Sequence, residues 1–195
     1  MASNINTAIP PLGSPTTSGV RANFASAKTE IEALQTQIGY ADYNDAATAI
    51  TPISVSPSTW TKLTNNKLGP NTRSRLPSGV TNLWNSTTNQ LVLTELPIDT
   101  MVSIRSDIIV TTSAANQVVK FDKRFAIGAG SEFTLEASSS TFKTAGVQKM
   151  SMNGSFYIGS DVVRVNPAEL RLWSDASCTV VVNGWYISVI KYLAA

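Results

Sequence analysis

From Thr59 onward, apolar and polar residues alternate with a period of two, run after run, separated by Gly, Pro, Asn and Ser. In "MVSIRSDIIVT", Val102, Ile104, Ile108 and Val110 alternate with Ser103, Arg105 and Ile109. In "VVKFDKRFAIG", Val119, Phe121, Phe125 and Ile127 share one face, opposite Lys120, Asp122 and Arg124. Shorter runs repeat the pattern: "WTKLTN", "VTNLWN", "NQLVLTEL", "SEFTLEA", "VQKMSM", "SFYIG", "VVRVN", "ELRLWS", "CTVVVN" and "WYISVIKYL". Side chains two apart point the same way only on a strand, so about ten short strands predict a β-sandwich or barrel. Asn153-Gly154 and Asn183-Gly184 predict two-residue type I′ hairpins, because both residue types tolerate positive φ.

The last run departs from the pattern. Trp185, Ile187 and Val189 are apolar on one face, and Tyr186, Ile190 and Tyr192 on the other. An antiparallel sandwich strand normally keeps one face wet. One of these faces lines the core, and a neighbouring copy of the chain is the expected cover for the other.

A second apolar stripe precedes the strands. In "SGVRANFASAKTEIEALQTQIGY", Val20, Phe24, Ala27, Ile31, Leu34 and Ile38 recur at steps of four and three. This predicts a helix over 18–39, with Ser18 as N-cap and Gly39 just past its end. As heptads, Phe24, Ile31 and Ile38 take position a, and Val20, Ala27 and Leu34 take d. Such a helix either packs on its own domain or joins a parallel bundle of identical chains. The polar flanks of Arg21, Lys28, Glu30, Glu32, Gln35 and Gln37 leave a narrow stripe, which favours the bundle. Ahead of it, residues 1–17 carry Pro10, Pro11 and Pro15 and read as an extended anchoring arm, with Ile5, Ile9 and Leu12 as its apolar contacts. Residues 40–58 read as a linker and 59–195 as the sandwich.

Composition narrows the function. Of 195 residues, 43% are hydrophobic but only 14% are charged, with Ser, Thr and Asn making up the difference. A net charge of +2 without a Lys/Arg cluster argues against nucleic acid, and "NTRSRLP" with Arg73 and Arg75 reads as a solvated loop. The chain has no histidine, which removes His-based triads, dyads and zinc sites together. Its single cysteine, Cys178, lies in a strand-like run and reads as a small core residue. The first residues lack the basic start and apolar stretch of a signal peptide. No apolar run approaches the roughly 20 residues that span a bilayer, so membrane insertion is not expected.

Candidate chemistry is sparse. "AIGAGSE" (126–132) lacks the Lys and helix of a phosphate loop and reads as a tight turn. Asp42 and Asp45 lack the remainder of a calcium loop. Glu132, Glu136 and Asp122 would make a hydrolytic pair only at a defined separation across a cleft. Asn85 and Asn153 match glycosylation sequons by composition alone. Trp60, Trp84, Trp173 and Trp185 plug a core or form a sugar-stacking platform. No catalytic residue, metal site or cofactor is expected.

The opening "NINTAIPPLGSPTTSGVRANFASAKTEIEALQ", the body "LPSGVTNLWNSTTNQLVLTELP" with "IDTMVSIRSDIIVTTSAANQ", and the closing "SVIKYL" resemble structural proteins of tailed bacteriophage virions. The body is similar to the trimeric jelly rolls, like the tumour-necrosis-factor fold, of capsid decoration proteins, head fibres and fibre tips. The resemblance implies a mainly β, non-enzymatic virion protein made in the host bacterial cytoplasm. It implies a homotrimer whose arm and helix hold it to the major capsid protein or another virion protein. There it stabilises the shell or presents an adhesive surface. The alternative is a tail fibre or tail-associated protein that touches a host cell-surface glycan or receptor through loops such as 65–80.

Overall fold

The computed structural model describes residues 17–35 and 37–191. Along the chain lie α1 (Thr17–Gln35), β1 (Ile38–Asn44), β2 (Ile53–Val55), β3 (Thr61–Lys62) and β4 (Arg73–Arg75). Next come β5 (Trp84–Asn85), β6 (Gln90–Leu91), β7 (Met101–Thr112), β8 (Gln117–Phe125), β9 (Phe133–Phe142) and β10 (Gly146–Tyr157). A short α2 (Asp161–Val165), β11 (Glu169–Ser174) and β12 (Cys178–Ile190) complete it. The expected class is present: a mainly β, antiparallel sandwich. The first sheet runs β10-β7-β12-β1-β4, with β2 also on β12, and the second runs β3-β11-β8-β9. After β7 the chain crosses to the second sheet for β8 and β9, returns for β10, crosses to β11 and returns for β12. Those repeated crossings are the jelly-roll path.

The residues that alternate inward fill the space between the sheets. Val102, Ile104, Ile108 and Val110 from the first sheet, with Val119, Phe121, Phe125, Leu170 and Leu172 from the second, are all buried. Trp84 and Trp185 meet edge to face at 5.8 Å in this core, and Trp84 Nε1 donates to the Asn65 carbonyl at 2.9 Å.

Several expectations are corrected. Neither Asn-Gly pair is a hairpin. β10 pairs with β7 without interruption through Asn153 and Gly154, and Met150, Met152 and Phe156 keep to the inward side. In β12, Cys178, Val180 and Val182 are buried, and then Trp185, Ile187 and Val189, so the inward positions change parity. The register shift between Val182 and Gly184 absorbs the odd residue. Asn183-Gly184 therefore marks a bulge, and a Cβ on Gly184 would lie 2.7 Å from the Tyr43 carbonyl oxygen.

The helix stops early. α1 ends at Gln35, and Ile38, Gly39 and Tyr40 belong to β1, whose seven residues pair with β12. Strand pairing overrides the heptad spacing here, because β1 gains a full ladder and buries Ala41 and Tyr43. Gly39 is no helix cap: a Cβ there would meet Pro77 Cδ at 2.5 Å and the Arg75 carbonyl oxygen at 2.6 Å. The linker expected over 40–58 thus contains most of one central strand and all of β2. "VVRVN" is helical in α2 except for its last residue, Asn166, which follows the helix as C-cap; the Ser160 side chain caps it by accepting from the Val163 amide.

Candidate self-association surface

The outer face of the first sheet is read in rows across its strands. At one end, Ile38 stands opposite Ile190, Ile190 opposite Met101, and Met101 opposite Tyr157. These four side chains are 63%, 55%, 45% and 64% exposed. They form a continuous apolar row over β1, β12, β7 and β10. The next row is Tyr40, Ser188, Ser103 and Ser155, and the third is Asp42, Tyr186, Arg105 and Asn153. Only the first row is apolar throughout.

Ile190 is exposed on this outer face, as expected for the second apolar face of the last strand. Tyr186 is placed differently. Its ring stacks on Tyr40 at 5.7 Å with the Arg105 guanidinium 5.5 Å from its centroid, so neighbours in its own sheet partly cover it. Tyr192 lies outside the described residues, as do Ile5, Ile9 and Leu12. Met101 and Tyr157 were missed from the sequence, though each has the parity of a polar neighbour, Ser103 or Ser155, and so faces outward.

The helix carries exposed apolar side chains of its own. α1 ends three residues before Ile38. Its Phe24 and Ile31 are 73% and 55% exposed, and Val20 and Ala27 half-buried. The side chain of Leu34 is outside the described residues, and Ile38 has left the stripe for the sheet row. With Phe24 and Ile31 in water, packing of the helix on its own domain does not account for the stripe. Lys28 and Glu32 form an exposed i,i+4 pair at 3.7 Å, and the Thr29 hydroxyl donates back to the Ala25 carbonyl.

Beside the row, the sandwich is open between β9 and β10, the edge strands of its two sheets. A cleft of about 510 Å³ lies there, lined by Phe125, Phe133, Leu135, Phe156, Tyr157 and Val163 among others. Phe125 stacks on Phe133 at 5.2 Å and meets Phe156 edge-on at 4.6 Å. Tyr157 belongs to both the row and the cleft.

The candidate chemical groups are engaged elsewhere. Asp122 accepts two hydrogen bonds from Arg171, at 2.9 and 2.6 Å. Glu132 pairs with Arg124 and accepts from the Gly128 amide; these bonds hold its carboxyl below the ordinary range, the Gly128 bond contributing most. Glu136 stands opposite Asp122 in the β8–β9 register. Asp45 organises its loop by accepting from the Thr48 amide and hydroxyl and the Asn66 amide. Arg73 and Arg75 lie on β4, exposed, opposite Asp42 and Tyr40. Cys178 is buried, and burial pushes its thiol up. Among the described residues, no three His, Cys, Asp or Glu side chains are grouped to hold a metal ion, and no helix is long and apolar enough to cross a membrane.

No protein-family model matches the chain, and no curated protein matches it. Similar solved structures include a chain of the T13 IBDV viral particle, at 9% identity and a TM-score of 0.43, covering 79% of this chain and 31% of that one. The PRD1 vertex protein P5 is similar at 14% identity and a TM-score of 0.41, covering 81% and 98%. Eiger TNF from S. frugiperda is similar at 10% identity and a TM-score of 0.40, covering 82% and 95%. Likenesses of this depth carry nothing about function.

Proposed function

We propose that this protein is a non-enzymatic structural component of a virion that works as a homotrimer, attached to the particle through its N-terminal arm and helix. The observation that carries the self-association is the bare row of Ile38, Ile190, Met101 and Tyr157. Burying one such side chain fully is worth about 1.5–3 kcal/mol, so four together with a helix stripe make a large incentive to associate. A closed ring of copies uses two different patches on each copy. The sheet row and the edge cleft are two such patches, and they adjoin at Tyr157. Three helices side by side would dry Phe24 and Ile31 as the same ring closes.

The attachment role draws on the resemblance of the leader and body to tailed-phage virion proteins. Capsid decoration is preferred to a tail fibre because α1 supplies 19 residues, a rod of only about 28 Å. Sedimentation equilibrium of the full chain tests the assembly: a trimer is expected, and a monomer at micromolar concentration overturns it. Quantitative protein analysis of purified parent particles tests the place. Many tens of copies or more fit decoration, whereas about a dozen fit a tail structure.

A further inference from the structure

The four tryptophans divide into two pairs. Trp84 and Trp185 are core plugs with no exposure. Trp60 and Trp173 are on the outer face of the second sheet, turned away from the association surface. Arg171 pairs with Lys62 and Leu172 with Thr61; Trp173 and Trp60 are the residues that follow and precede this short ladder in the chain. Trp60 is 36% exposed, and the Arg171 guanidinium lies 5.0 Å from the centre of its ring. That guanidinium is held by its two bonds to Asp122, whose side chain is only 3% exposed. The Lys120 ammonium lies 5.3 Å from the centre of the Trp173 ring. One row on, Glu169 accepts from Lys62 at 3.2 Å and from Gln90 at 3.3 Å.

We propose that this face is a binding platform for a neutral oligosaccharide, with Trp60 and Trp173 as stacking plates and Arg171, Lys62, Glu169 and Gln90 as hydrogen-bonding groups. A pyranose has an apolar C–H face that stacks on an indole and a rim of hydroxyls that both donate and accept. Planar side chains already locked by partners meet those hydroxyls without losing rotamer freedom on binding. The charge on the face selects a neutral ligand. Arg171 is balanced by Asp122, Lys62 by Glu169 and Arg124 by Glu132, and Lys120 and Glu136 offset each other in sum. Nucleic acid and polyanionic chains call for a surplus of cations, which is missing here. The platform is on the sheet opposite the association row, so it stands or falls separately from trimer formation.

The test uses the full chain with neutral hexasaccharides of glucose, xylose, mannose and galactose, and hexagalacturonate as the acidic counterpart. Calorimetry and tryptophan fluorescence are the readouts. Saturable binding of at least one neutral hexasaccharide is expected, with a fluorescence change on saturation. Trp60→Ala and Trp173→Ala should each weaken it by about tenfold while leaving the near-ultraviolet circular dichroism of the buried tryptophans in place. Ile190→Asp should leave the affinity per chain unchanged even where it dissolves the assembly. Binding of none of the four, binding of hexagalacturonate alone, or binding indifferent to both tryptophan variants overturns the proposal.

Discussion

Ile38 stands directly opposite Ile190 in the antiparallel register of β1 and β12, and both side chains face water. The residue that ends the apolar spacing of the helix thus becomes a cross-strand partner of the last apolar residue of the sheet.

Replacing Ile190 with Asp tests that surface. On a monomer the new carboxylate is solvated and the fold survives; inside a trimer it is buried without a partner, at a cost of several kcal/mol. Sedimentation should show dissociation with unchanged circular dichroism, and Met101→Asp should do the same. Intact assembly in both variants would remove the row from the interface.

Gly39→Ala should destabilise the sandwich by about 1–3 kcal/mol. Its Cβ would be 2.5 Å from Pro77 Cδ and 2.6 Å from the Arg75 carbonyl oxygen, neither of which is a flexible side-chain end. Urea denaturation reads the change in midpoint. An unaltered midpoint would mean that β4 does not pack on β1 as described.

The Arg171–Asp122 pair is the least exposed ion pair among the described residues, with side chains 12% and 3% exposed. Arg171→Ala strands a carboxylate at a cost of about 3–5 kcal/mol, whereas replacing both partners by apolar residues of like volume should cost far less. A double-mutant cycle of Arg171→Met and Asp122→Leu by thermal or urea unfolding measures the difference. Additive losses would show that the pair is not coupled.

Lys123 has the inward parity of Val119, Phe121 and Phe125, and sits between Leu170 and Leu135 in the ladder. Burial holds its amine below the ordinary lysine value. The folded-state pKa is therefore below the unfolded one, so the unfolded chain binds more protons between the two. Stability is lower below the folded pKa and rises with pH toward the ordinary lysine value. Lys123→Met should raise the midpoint of unfolding at neutral pH and shrink that alkaline rise, leaving the share of Lys67, whose amine burial also lowers. A variant with the same pH profile as the parent would show that the amine reaches water.

Much of this was legible in the residues. Period-two alternation placed Val102, Ile104, Ile108 and Val110 inward, because a strand offers only two sides and water excludes one from apolar groups. The two-faced last strand was visible for the same reason, and Ile190 is indeed bare. The apolar stripe of α1 followed from helical spacing alone.

Where the strands turn, bulge or stop was decided by partners distant in sequence. Asn-Gly is equally suited to a hairpin and to a bulge; β10 pairs with β7 straight through Asn153-Gly154, and β12 pairs with β7 on both sides of Asn183-Gly184, which chose against hairpins. Ile38 suits a helix or a strand, and the free edge of β12 claimed it. Met101 and Tyr157 became one patch with Ile38 and Ile190 only when four strands fell into register. Local sequence sets which way a side chain points along its own strand; tertiary pairing sets which side chains it stands beside, and a surface is made of neighbours.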